Sequence, residues 1–288
     1  MPELLLHSLA TFDPLITELL DVAGARSVVE IGGEGGLFTR QLVDWAERVD
    51  GSVHCVDPAP SQLLARLATR AERLTLLEEP SPAALDLLPF LDAYIVDGDH
   101  NHHTVHAELT ALLPRLLDPE RPALVVLHDV AWPSARRDSY YAPERLPEAA
   151  VHEHSRTLGA VPGEEELQAV GFSPAGRMAY ATREGGPRNG VLTAVEDVLG
   201  ERAELELHVV PAVFGVGVLF ASAAPWAQPA RDVVAPYLLP LVERLEHNRI
   251  ELFLQVLRLQ AEVEHRARVH QLQLDGLQAR LAASTPPG

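Results

Sequence analysis

The sequence predicts an α/β fold: one open, mostly parallel seven-stranded sheet with helices on both faces, an insertion after the fifth strand and a helical extension at the C-terminus. Three observations predict it. Five short apolar runs alternate with helix-period segments over residues 27–129, the pattern of parallel βαβ units. Two more strand-like runs, "ELELHVVP" and "FGVGVLFAS", lie close together near residues 204–222 and are expected to form an antiparallel hairpin that gives the sheet one antiparallel edge strand. From about residue 235 the apolar spacing becomes 4, 3, 4 through Leu252, Val256, Leu259 and Val263, the signature of a long two-faced helix.

The elements follow in order. Residues 3–23 read as helical, with Leu5, Leu9, Leu15, Leu19 and Leu20 on one side and a break near Pro14. "SVVEI" is a buried strand and "FTRQLVDWAERV" an amphipathic helix. "SVHCVD" is the second strand and "SQLLARLATRAERL" the second helix, with Ser61 placed as its N-cap. "LTLLEE", "LDAYIVDGD" and "ALVVLHDV" are strands three to five, and "TVHAELTALLPRLL" is the helix between the last two. Right-handed crossovers place helices on both faces. Residues 131–189 hold Pro, Gly, His and paired aromatics without a period and read as an excursion over the sheet. "VLTAVEDVL" is a helix, the hairpin follows, and "SAAPWAQPARD" reads as a linker. The expected organisation is a helical cap over 1–25, a main domain over 26–230 with 131–189 as insertion or lid, and a C-terminal helix over 235–285.

Composition narrows the function. The net charge is −18, which repels phosphate backbones and argues against nucleic acid as a partner. The chain has no Lys, so a general base must be His, Asp, Glu or Tyr. A single Cys55 excludes an internal disulfide and a multi-cysteine zinc site and suits a reducing, cytoplasmic setting. No signal-peptide pattern opens the chain and no 18-residue apolar run exists, so no membrane partner is expected.

"VVEIGGEGGLFTRQLV", residues 28–43, places a Gly-rich turn between the first strand and a helix, where a ligand can approach bare backbone. Without Lys it is not a phosphate loop, and it fails the G-x-G-x-x-G dinucleotide spacing because Phe38 stands where the last Gly should be. What remains is E-x-G-x-x-x-G, with Glu30, Gly32 and Gly36 and with Gly33 inside the turn. This resembles the first motif of class I S-adenosylmethionine-dependent methyltransferases. The chain has Glu34 where that motif usually has its second Gly, a variant similar to the macrolide-sugar O-methyltransferases. The resemblance implies a Rossmann-like methyltransferase sheet and S-adenosylmethionine as cofactor. Asp57, 27 residues after Glu30, ends the second strand, where an acid accepts both ribose hydroxyls. Ser81 falls where the family commonly contacts adenine.

"LDAYIVDGDHNHH" and "ALVVLHDVAWP" end two strands in acids and histidines, at the edge where open α/β sheets bind ligands. The arrangement is similar to catechol-type and macrolide-sugar O-methyltransferases, which hold a metal between the same two strand ends. The resemblance makes Asp97, His128 and Asp129 the metal ligands, with Asp97 also beside the cofactor, and makes His100 the catalytic base. Mg2+ is the first expectation. An imidazole in place of an acid at His128 also admits Mn2+ or Fe2+. A metal there would lower the pKa of a substrate hydroxyl. His102 and His106 lie at i, i+4 and read as a solvated face rather than as a zinc pair. In the excursion, Trp132, Arg136, Arg137, Tyr140, Tyr141 and Asn189 are candidates to line a substrate site.

The expected activity is metal-assisted O-methylation of a small hydroxylated metabolite, a sugar or secondary metabolite. Two alternatives stand beside it: metal-free N- or C-methylation of a small molecule or peptide, and a non-catalytic scaffold. The C-terminal helix, in which Leu274, Leu277 and Leu281 repeat the earlier spacing around a polar middle, is expected to form a homodimer by a short coiled coil.

Overall fold

A computed structural model describes residues 5–173, 176–200 and 202–284. Residues 1–4 of the expected cap and residue 285 of the expected extension lie outside these. After a 3-10 turn at Leu9–Phe12, α1 spans Asp13–Val22. Pro14 opens this helix rather than breaking it, because a first-turn residue has no N–H to give up. Then come β1 (Ser27–Ile31), α2 (Leu37–Val49), β2 (Ser52–Val56), α3 (Gln62–Ala68), β3 (Leu74–Leu77), α4 (Ser81–Leu87), β4 (Ala93–Val96), α5 (His102–Leu116) and β5 (Leu124–His128). Ser61 caps α3, its hydroxyl accepting from Leu64 N at 3.2 Å. Asn101 caps α5 in the same way, accepting from Thr104 N at 2.9 Å.

The insertion carries three short strands, β6 (Ser139–Tyr140), β7 (His154–Ser155) and β8 (Ala179–Ala181), paired in the order β6-β8-β7. It is thus a small sheet of its own, which no periodicity could reveal at two or three residues per strand. Helix α6 (Val191–Leu199), β9 (Leu205–Val210) and β10 (Val216–Ala221) return the chain to the main sheet. The expected linker instead contains α7 (Ala227–Val234), which packs on α1 with Ala227, Ala230 and Val234 buried. Small residues at i, i+3 and i+7 give it an apolar face despite Pro229. Helix α8 runs from Pro240 to Ser284.

The main sheet has seven strands in the order β3-β2-β1-β4-β5-β10-β9. Strands β1 to β5 are parallel, and β10 is antiparallel to both its neighbours, β5 and β9. The expected antiparallel strand is therefore not at the edge. It is β10, inserted between β5 and β9, and the edge strand β9 runs with the parallel set. Strands β4, β5 and β10 are buried throughout, which explains their uninterrupted apolar runs. Strand order reverses between β1 and β4. The crevice at the carboxyl ends of those two strands is where such sheets take ligands.

Candidate active site at the carboxyl edge of the sheet

The glycine turn is pressed against the end of β4. A Cβ on Gly32, whose φ is +90°, would lie 2.1 Å from the Asp97 carbonyl oxygen. One on Gly33 would meet Cys55 Sγ at 2.5 Å, and Gly36 starts α2 at φ +75°. Gly35 has open space around its Cβ position. Glu34 takes a left-handed φ of +42° and points outward. Asp57 braces the turn: its carboxylate accepts from Glu34 N and from Ala59 N, both at 2.9 Å. Each carboxylate oxygen can accept more than one hydrogen bond, so capacity for ribose hydroxyls remains.

Glu30 lies under the turn rather than in the open crevice. It is buried against Thr39 and Cys55, one of its oxygens has no partner, and burial pushes its pKa up to about 8. Ser81, buried at the start of α4, donates to Glu108 of α5. Glu108 is a residue that motif reasoning missed. It is fully buried, one oxygen lacks a partner, and burial raises its pKa to about 8. The available signal was its position between Val105 and Leu112 on the apolar face of α5, where an acid is out of place.

Asp97, His100, His128 and Asp129 converge at the ends of β4 and β5. His128 Nδ1 lies 3.0 Å from Asp97 Oδ1, and His128 Nε2 lies 2.9 Å from the Val213 carbonyl. A carbonyl only accepts, so Nε2 carries a proton. Bonding to the carboxylate requires a second proton on Nδ1. Burial would depress the His128 pKa, but Asp97 and Asp129 outweigh it and hold it above the ordinary range. An imidazolium with both nitrogens engaged offers no lone pair to a metal. His100 is placed differently. Its Nε2 is 3.5 Å from Asp97 Oδ1 and 3.3 Å from Asp129 Oδ2, within ion-pair distance but aligned in no hydrogen bond. Burial lowers its pKa, but Asp129 and Asp97 outweigh this and raise it to about 9, so a cation there would displace a proton from that nitrogen. Burial alone would raise Asp97, but His128 and His100 hold it well below the usual carboxylate range. Ligand atoms of Asp97, His100 and Asp129 all lie within 4.8 Å of one another, a spacing that suits one cation.

Backbone strain gathers at the same edge. Asp129, Val213 and Phe214 have φ of +59°, +48° and +65°, unfavourable for residues with a Cβ. Ala131 N donates to Phe214 O at 2.7 Å, which ties the loop after β5 to the β9–β10 turn.

The six insertion candidates separate. Tyr141 is exposed, with its ring 6.0 Å from that of His100. Trp132 packs on Phe172 and lines a groove of about 510 Å3 with Ala131, Pro211 and Ile250. The other four make their hydrogen bonds within the protein, although Arg137 Nε is buried without a partner. Arg136 pairs with Glu196 of α6. Arg137 is fully buried, donating to Ala181 O at 2.6 Å and Glu165 O at 2.8 Å. Tyr140 donates to Asp138 at 2.8 Å, and Asn189 accepts from Asp138 N at 2.7 Å. Asp138, unforeseen, also accepts from His102 N and Gly190 N and so pins the start of α5 beside His100. His102 Nε2 lies 2.8 Å from Asp197 of α6 and its ring stacks on His106. Arg177 of the insertion pairs with Glu34 and links it to the glycine turn.

The sheet order places a glycine turn and an acid-ended second strand together at the switch point. Residues 29–130, which span β1 to β5, match the family described as a methyltransferase domain. No curated protein matches the chain. Among solved structures it is similar to the S-adenosylhomocysteine-bound methyltransferase PaMTH1 of Podospora anserina, at 13% identity over 72% of this chain and 77% of that one, TM-score 0.44. It is also similar to the O-methyltransferase TomG of Streptomyces achromogenes, at 16% identity over 77% and 83%, TM-score 0.41. Among the described residues no helix is long and apolar enough to cross a membrane.

Proposed function

We propose that the protein is a class I S-adenosylmethionine-dependent methyltransferase that methylates a hydroxyl of a small metabolite, with a divalent cation held by Asp97, His100 and Asp129. One observation carries this: the convergence of two carboxylates and an imidazole nitrogen, aligned in no hydrogen bond, at the edge that also holds the glycine turn. The assignment departs from the motif-based one in a single exchange. His100, expected as the base, stands where the third ligand belongs, and His128, expected as that ligand, braces Asp97 from behind.

S-adenosylmethionine, when bound, supplies an electrophilic methyl group, and a cation at the acid cluster would lower the pKa of the acceptor hydroxyl. The protein's own part is placement. Gly32, Gly33 and Gly36 let the turn seat against Asp97, Cys55 and Leu64 at the crevice, Asp57 offers acceptors to the cofactor ribose, and Ser81 with Glu108 stands at the expected adenine end. His128 fixes the Asp97 carboxylate, and Asp138 fixes the turn carrying His100. Tyr141 covers His100 from the insertion side. Trp132 and the groove beyond Asp129 lie where an acceptor's body would extend. Oxygen is favoured over nitrogen because an amine gains little from Lewis-acid help. Mg2+ or Mn2+ suits two carboxylates and one imidazole. The homodimer expected of the C-terminal helix is taken up below.

Mn2+ titration followed by electron paramagnetic resonance tests the site. One ion should bind the intact protein. Asp129→Ala should lose it while S-adenosylmethionine affinity stays within about twofold, since Asp129 touches only the acceptor side. Equal Mn2+ binding by both proteins would reject the assignment.

A further inference from the structure

Helix α8 meets the body of the protein along one face and leaves the opposite face bare. Glu246, Ile250 and Leu254 are buried. Glu246 accepts from Phe214 N at 3.2 Å, and Arg249 donates to Leu6 O at 2.8 Å. At about 100° per residue, these side chains cluster on one side. Leu241, Leu245, Leu252, Val256, Leu259 and Val263 lie about 180° away, and Leu252, Leu259 and Val263 are 60%, 52% and 66% exposed.

The bare stripe has a period that heptad counting obscures. Leu241, Leu252, Val263 and Leu274 are successively 11 residues apart, and so are Leu245 and Val256. Eleven residues make three turns at about 3.67 per turn, close to the natural helix, so a pair joined along the stripe winds with a slight right-handed supercoil. On this spacing the polar middle is no interruption: Ala267 and His270 fall on the stripe, and Leu277 continues it at 55% exposure.

Charge identifies what covers it. Residues 240–284 hold six acids and six Arg, so the helix is neutral and the rest of the chain carries the whole −18. Two bodies repel; two such helices do not. A parallel pair would set the bodies side by side. An antiparallel pair centred near residue 265 puts them at opposite ends. The docked segments around Ile250 are then separated by roughly 45 Å along the rod, at about 1.5 Å per residue and several Debye lengths. It also brings Glu251 of one copy level with Arg280 of the other, where a parallel pair would oppose Glu251 to itself.

We infer that the bare stripe of α8 binds a second copy of this chain in an antiparallel, eleven-residue-repeat helix pair. This deepens the expected dimer and does not depend on the methyl-transfer chemistry.

The test uses the full chain. Sedimentation equilibrium at micromolar concentration should give twice the chain mass, and Leu252→Glu with Leu259→Glu should give the single mass with S-adenosylmethionine affinity unchanged. Cys55 is buried, so an introduced cysteine is the accessible thiol. Val263→Cys, near the two-fold, should cross-link to its own copy with a short bismaleimide. Leu277→Cys, roughly 36 Å from its copy at about 1.5 Å per residue, should not. A monomeric native chain, a dimer that survives the double substitution, or cross-linking at Leu277→Cys each overturns the inference. Cofactor binding by a monomeric chain would leave the enzymatic assignment standing.

Discussion

Gly32→Ala should damage this protein out of proportion to the single methyl added, and Gly35→Ala, three residues along the same turn, should not. At Gly32 two costs combine. An alanine at φ +90° pays for a backbone region that L-residues avoid, about 1–3 kcal/mol. Its Cβ would also stand 2.1 Å from the Asp97 carbonyl oxygen and 2.6 Å from the carbonyl carbon. Those are backbone atoms, so the turn or the end of β4 must move, at about 1–3 kcal/mol for overpacking. A total of roughly 2–6 kcal/mol is a large share of a typical stability of about 5–15 kcal/mol. At about 2–4 °C per kcal/mol for a domain of this size, Tm should fall by about 4–24 °C. At Gly35 a Cβ meets nothing within 4 Å and φ is not left-handed, so the change should stay within about 0.5 kcal/mol. Thermal unfolding by circular dichroism, run on both variants, is the assay. Equal Tm values for the two variants would refute the claim that the turn is pressed onto β4.

Three further outcomes are expected. Glu108 keeps its proton in the folded state up to about pH 8 but loses it near 4.5 when unfolded, so its stabilising contribution is full below pH 4.5, declines as pH rises and is gone above 8. Glu108→Gln should therefore flatten the fall in stability between pH 5 and 9 seen in urea unfolding, leaving the part due to Glu30; parallel curves for variant and native protein would contradict this. Asp57→Ala removes charge-assisted bonds worth about 1.5–3 kcal/mol each and should weaken S-adenosylmethionine binding at least about tenfold by calorimetry, with unchanged affinity as the refuting result. The exposed Arg177–Glu34 pair should contribute no more than about 1 kcal/mol, so Arg177→Ala should leave Tm almost unmoved, and a loss several times larger would show that the insertion is held by that contact.

Much of the main sheet was legible because its strands are buried on both faces and its helices are amphipathic. Val28–Ile31, Ala93–Val96 and Leu124–His128 announce themselves as apolar runs closed by Gly or acid. The antiparallel strand was legible as half of a hairpin, but its neighbours were not, since pairing of β10 with β5 leaves no local mark. The insertion's sheet was hidden because two-residue strands have no period and Asp138, its hub, resembles any loop acid. At the candidate site, Asp97, His100, His128 and Asp129 were each legible from strand ends. Which histidine has both nitrogens bonded was not, because it depends on Val213, a residue 85 positions from His128 that comes alongside only through the β9–β10 turn. Asn189 illustrates the converse: a polar residue near a site in sequence, with its hydrogen bonds satisfied inside the insertion.

Transfer of an isotope-labelled methyl group from S-adenosylmethionine into a pool of small hydroxylated metabolites, followed by mass spectrometry with and without a metal chelator, tests the central claim most directly. An O-methylated product should form, disappear in chelator, return with added Mg2+ or Mn2+ and be absent with Asp129→Ala. Undiminished product in chelator, or a label found on nitrogen or carbon, would contradict it.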